Sequence, residues 1–204
     1  SGLYPLFGSI VSGGGLALGA GVRQYYGDNT FWNAKSLYSI QNYKWLELST
    51  DSLGFANGTL DLHARAGWRD APQMPFYGLG TKASEDDRSN FRLQQTYVGG
   101  DAVVFPSSLL ILDFGVAYEV LDSGQGSGEF PSIEERFSPS DAPGLGADPT
   151  FIHSRAQVGL DWRPADDYAR KGGRYAVQFQ DYRDRDADHS FSRLDGDIVQ
   201  HVPL

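Results

Sequence analysis

The chain has 204 residues, among them 25 Gly, twelve Phe, eleven Tyr, four Trp and no Cys, with a formal charge of -9 and an isoelectric point near 4.8. Its acidity and the lack of a basic patch exclude nucleic acid or an anionic membrane surface as the main partner, since both are held by clustered Lys and Arg. The absence of Cys excludes disulfides and thiolate metal sites, and no apolar run approaches the roughly 20 residues of a membrane-spanning helix.

Gly and aromatic residues at this density favour strands joined by tight turns over long helices. Strand patterns occupy Leu3 to Val11, Leu16 to Tyr25, Phe31 to Ile40 and Tyr43 to Thr50. From Leu60 to Arg69 the alternation is clean: Leu60, Leu62, Ala64, Ala66 and Trp68 share an apolar face, opposed by Asp61, His63, Arg65 and Arg69. Phe91 to Val104 comes next. Between Leu110 and Glu119, Leu110, Leu112, Phe114, Val116 and Tyr118 oppose Asp113, Gly115 and Glu119. From Ile152 to Trp162, Val158, Leu160 and Trp162 oppose His153, Arg155 and Asp161. Arg174 to Tyr182 and Phe191 to Val202 complete the series.

Windows of about ten residues match strands that cross a bilayer at a tilt, whereas strands of water-soluble proteins are nearer five or six. The two long connections, Asp70 to Asn90 and Leu121 to Thr150, fall on the same side, while "YGDNT" and "FPSS" on the other side are short turns. This pattern predicts one all-β domain over residues 1–204, an antiparallel up-and-down transmembrane β-barrel. On that reading Leu60, Leu62, Leu110, Leu112, Phe114, Val158 and Leu160 face lipid. Trp68, Tyr118 and Trp162 form interfacial girdles, and Asp61, His63, Arg65, Asp113, Arg155 and Asp161 face the lumen. A β-sandwich whose polar face meets water is the alternative.

Nothing in the sequence specifies catalysis. The four His, at 63, 153, 189 and 201, form no ligand pair. Asp184 to Asp195 imitates a calcium loop but has His189 where the sharp turn wants Gly, so it reads as a hairpin loop. No G-x-S-x-G elbow exists, and the acidic pairs Asp86 and Asp87, Glu134 and Glu135, and Asp166 and Asp167 fall in loops. In "PFYGLGTKASEDDRSNF", Pro75 to Phe91, the Gly-x-Gly step opens no helix and therefore lacks the amide-lined terminus of a phosphate site. No cofactor and no metal are expected.

That loop instead carries a resemblance. The step formed by Tyr77, Gly78 and Gly80, followed by Asp86, Asp87, Arg88 and Phe91, resembles the connection between the fifth and sixth strands of the BamA/TamA family of outer-membrane barrels. "LYPLFGSIVSGGGLALGAGVRQYYGDN", "KSLYSIQNYKWLELSTDS", "APGLGADPTFIHSRAQVGLDWR" and "GGRYAVQFQDYRDRD" extend the likeness along the chain. The resemblance implies a sixteen-stranded barrel in a bacterial outer membrane, of which this chain looks like the first nine or ten strands, without POTRA modules or the closing strands. It also implies non-catalytic assembly, insertion or translocation of envelope proteins, with the lipid bilayer and other outer-membrane proteins as partners. The competing readings are a small pore or ligand-binding barrel, and a secreted β-domain that binds partners through its long loops.

Overall fold

The computed structural model describes residues 1–138, 140–142, 144, 146–164, 171–186 and 188–202. Its strands are β1 (Gly2–Gly8), β2 (Ala17–Tyr25), β3 (Thr30–Ser39), β4 (Lys44–Gly54), β5 (Leu60–Phe76), β6 (Ser89–Val104), β7 (Leu110–Gln125), β8 (Thr150–Asp161), β9 (Gly172–Asp184) and β10 (Phe191–His201). Each pairs antiparallel with the next, giving one ten-stranded up-and-down sheet. Among the described residues its two edges, β1 and β10, are not paired with each other.

The expected windows all form strands, but β5, β6 and β7 run further, to 17, 16 and 16 residues. Alternation breaks after Asp70 because the register shifts between Ala71 and Met74. Pro72 sits inside that irregularity, the place where a strand tolerates a residue with no N–H. Beyond it Met74, Pro75 and Phe76 resume pairing with Phe91, Asn90 and Ser89. The long connections are correspondingly shorter than the sequence suggests. Among the tight joints, Asn42 at φ 66° closes the turn in which its N–H reaches Ser39 O at 2.9 Å. Asn is one of the few residues that adopt this left-handed conformation readily.

Register carries the alternation across the whole sheet. Ala34, Leu48, Ala66, Val98, Tyr118 and Ile152 fall in one row on the apolar face. Lys35, Glu47, Gly67, Tyr97 and Glu119 fall in a neighbouring row on the polar face. Burial is the reverse of a water-soluble sheet. Leu48, Val98, Val116, Ile152, Val158 and Val177 are exposed, whereas Glu47, Glu119, His153 and Gln180 are half-buried. The sheet curls toward its polar face, because Ser9 and Ile10 of the β1–β2 loop line the same cavity as Ala117 and Glu119 of β7. In a flat sheet roughly 24 Å of strand spacing would separate them.

Candidate functional site

Long side chains on the polar face reach across neighbouring strands wherever a Gly clears the way. Tyr97 of β6 lies over Gly67 of β5, where a Cβ would sit 2.5 Å from the ring. Its hydroxyl donates to Glu47 Oε2 at 2.7 Å and accepts from Trp45 Nε1 at 3.1 Å, both on β4. Tyr4 of β1 lies over Gly21 in the same way, and its hydroxyl donates to Asn33 of β3 at 3.4 Å. Arg155 of β8 passes beside Gly115 to place Nη2 at 3.1 Å from Asp113 and 3.4 Å from Asp101 of β6. A Cβ at Gly67 or Gly21 would push the tyrosine off partners two strands away, whereas at Gly115 it would meet Arg155 at 3.4 Å, near ordinary contact.

A second set of contacts forms a continuous chain from β5 to β10. Arg69 Nη2 donates to Gln95 Oε1 at 2.5 Å, and Gln95 Nε2 donates to Glu119 Oε2 at 3.0 Å. Glu119 Oε1 lies 2.9 Å from His153 Nδ1, and His153 Nε2 lies 3.1 Å from Gln180 Oε1. Gln180 Nε2 then donates to Asp195 Oδ2 at 2.9 Å. That last bond fixes the amide, since the flipped form would set its oxygen against a carboxylate. Both ring nitrogens of His153 therefore face acceptors, and a neutral ring satisfies one of the two. Tyr182 stacks on the imidazole at 3.9 Å.

At the long-loop end a compact cap replaces the wall. Residues 126–138 fold back so that Asn90 N–H donates to Pro131 O at 2.9 Å and Ser127 N–H to Pro72 O at 3.0 Å. Phe137 meets Phe76 edge-on at 5.0 Å, and Ile133 is 4 % exposed. Arg136 Nη1 donates to Asp86 O at 2.6 Å and to Arg88 O at 3.2 Å, while the Arg88 guanidinium stacks 3.8 Å over Phe130. Tyr43, only 2 % exposed, donates its hydroxyl to Gln73 O at 2.7 Å, and burial pushes its phenol pKa up. In the loop, the Ser138 hydroxyl and N–H hold the Asp141 carboxyl below the usual carboxylate range.

The residues singled out by the sequence are dispersed over these regions. Of the six polar residues, Asp113 and Arg155 meet each other. Asp61 accepts from Gly54 N–H at 2.6 Å, His63 pairs with Asp51 at 2.7 Å, and Asp161 pairs with Arg163 at 2.6 Å. Arg65 lines a cavity with Tyr97 and Glu119. On the apolar face Leu110 pairs with Leu160, Leu112 with Val158 and Phe114 with Ala156, while Leu60 and Leu62 sit opposite Val104 and Ala102. Trp68 and Tyr118 lie one row apart, and Trp162 meets Tyr175 edge-on at 4.8 Å.

In the opening loop, Gly78 at φ 92° and Gly80 at φ 71° let the chain turn, Asp87 closes a turn on Ser84, and Phe91 is half-buried in β6. Phe76 rather than Tyr77 makes the ring contact to the cap, and Tyr77 stays exposed. Asp166 and Asp167 lie outside the described residues. The residues that organise the polar face, Trp45, Glu47, Gln95, Tyr97 and Gln180, carry no motif of their own. Only the strand register shows that each stands beside a Gly or an opposite partner.

Among the described residues no group of three or more His, Asp or Glu is placed to hold a metal ion, and no helix is long and apolar enough to cross a membrane. The chain matches no family model, no curated protein and no solved structure.

Proposed function

We propose that the chain forms part of the wall of a bacterial outer-membrane β-barrel of the BamA/TamA type. In this reading it takes part without catalysis in assembling, inserting or translocating envelope proteins. The observation that carries the membrane reading is the reversed burial: Val116 is 57 % exposed on the apolar face while charged groups share the sheltered one. In water such a face would be an association surface spanning most of the sheet. In hydrocarbon it is the stable arrangement.

Dimensions support the same reading. The alternation from Leu110 to Val120 covers about 34 Å of strand, or roughly 25 Å of height at the tilt of a barrel strand, close to the apolar band of outer-membrane barrels. The band ends in charge. Next along that face come Lys44, Asp70 and Asp122, with Arg92 holding Asp70 through Nε at 2.8 Å and Nη2 at 3.0 Å. Trp68, one step below Asp70 on the same face, occupies the level where aromatic girdles lie. The resemblance of Pro75 to Phe91 to the BamA/TamA family, also called the bacterial surface antigen family, supports the assignment to this family in particular.

The unpaired edges are consistent with a wall that continues, because open strand edges in lipid would leave backbone groups unsatisfied at several kcal/mol each. Folding into detergent micelles with heat-modifiable gel mobility tests the membrane reading. A monodisperse, folded monomer in plain buffer would contradict it.

A further inference from the structure

One cavity on the polar face has a chemistry that neither the wall nor the cap uses. It measures about 340 Å³ and is lined by Trp45, Glu47, Arg65, Arg69, Tyr97 and Glu119, with Ser9 and Ile10 overhanging it. Its acceptors are already engaged. Glu47 takes the Tyr97 hydroxyl and lies 3.7 Å from Lys35 Nζ, while Glu119 takes Gln95 and faces His153. The Tyr97 oxygen accepts from Trp45, and the Gln95 oxygen accepts from Arg69.

Its donors are not. Arg65 makes no hydrogen bond or ion pair among the described residues, and Arg69 uses only Nη2. A guanidinium carries five N–H donors in a planar fork. Within the lining two guanidiniums stand against two carboxylates, but Lys35 pairs with Glu47 from outside it and both carboxylates already hold other donors, so the guanidinium N–H groups are the unfilled capacity of the pocket. What would complete this arrangement is an acceptor carrying negative charge. The flat faces of Trp45 and Tyr97 beside it suit a planar or apolar remainder.

We propose that this pocket binds a small oxyanion, a carboxylate or phosphate group, held by Arg65 and Arg69, with any ring it carries lying against Trp45 and Tyr97. The volume is at the lower end of ligand pockets, which limits the ligand to a compact one. Bidentate pairing with an Arg fork supplies the selectivity for an oxyanion over a spherical halide. The site stands on the polar face alone and is independent of what covers the apolar face.

The test is calorimetric titration of the full chain, in zwitterionic detergent micelles or in plain buffer, with benzoate, acetate and inorganic phosphate separately. Chloride holds the ionic strength constant. Saturable binding is expected, weakened by about tenfold or more in Arg65→Gln and in Arg69→Gln, and unchanged in Arg183→Gln, whose charge lies outside the pocket. Benzoate tighter than acetate assigns the ring to Trp45 and Tyr97, whereas phosphate binding alone assigns a compact tetrahedral anion. The proposal is overturned if none of the three saturates against chloride, or if a folded Arg65→Gln chain binds them as wild type does. Should Arg65→Gln fail to fold, Arg69→Gln carries the same comparison.

Discussion

The wall and the cap of this molecule obey opposite rules of burial. In the wall, Val98, Val116 and Val158 point outward and Glu119, His153 and Gln180 point inward, so the strands hold together by backbone ladders and a polar network. In the cap, Tyr43, Ala71 and Ile133 are buried in the usual way and backbone groups of the β7–β8 connection bond to β5 and β6. The same chain switches from one rule to the other within a single strand, β5, at the irregularity between Ala71 and Met74. On the proposed membrane reading, the contrast reflects different solvents: hydrocarbon against the wall, water around the cap.

Substitutions should separate the two regions. The largest effect is expected for Val116→Arg, which in vesicles should destabilise the fold by about 2–4 kcal/mol in a urea titration, because it sets a charge within the apolar band. If the wall faced water, the cost would be near zero. In the cap, Ile133→Ala should cost about 2 kcal/mol through lost burial and a residual cavity. Hydrogen exchange should locate that loss at Asn90 and Ser127, whose amides bond across the cap, and leave the ladder from β7 to β9 unchanged.

Gly67→Ala should cost roughly 1–2 kcal/mol, since the added Cβ displaces Tyr97 from Glu47 and Trp45. Adding Tyr97→Phe to that background should then cost less than it does alone. The smallest effect concerns pH. Because burial raises the Tyr43 pKa, its neutral phenol stabilises the cap fully below the ordinary tyrosine value near 10, and that contribution fades as pH rises through the folded-state value. The tyrosinate absorbance lost in Tyr43→Phe should accordingly appear only above pH 10 or so. Tyr43 ionising with the exposed tyrosines would place it outside a packed cap.

Strand existence and facing were legible in the sequence because period-two alternation is a local property. Leu60 to Arg69, Leu110 to Glu119 and Ile152 to Trp162 show it without reference to any partner. The extension of β5 past Pro72 was not legible, because a Pro beside Asp70 reads as an end when the compensating bulge depends on a neighbouring strand. The cap was hidden for a similar reason. The parallel bridge of Asn90 to Ser132 joins β6 to a Gly- and Ser-rich stretch that has no periodicity.

The polar face was half legible: Asp113, Arg155 and Arg65 stand out as charges on alternating positions. Their partners do not, because Tyr97, Gln95 and Gly67 acquire meaning only once register sets them side by side. The cavity at Arg65 likewise needs the curl that brings Ser9 and Ile10 over β4 to β7.

The central claim is that the apolar face meets hydrocarbon. The chain has no Cys, so single spin labels can be placed without background. Labels at Val116→Cys and Val158→Cys, compared with Ala117→Cys and Gln157→Cys on the opposite face, should be read in lipid vesicles for collision with oxygen and with a water-soluble nickel chelate. The first pair should favour oxygen and the second pair the chelate. Equal access of all four labels to the chelate would contradict the account.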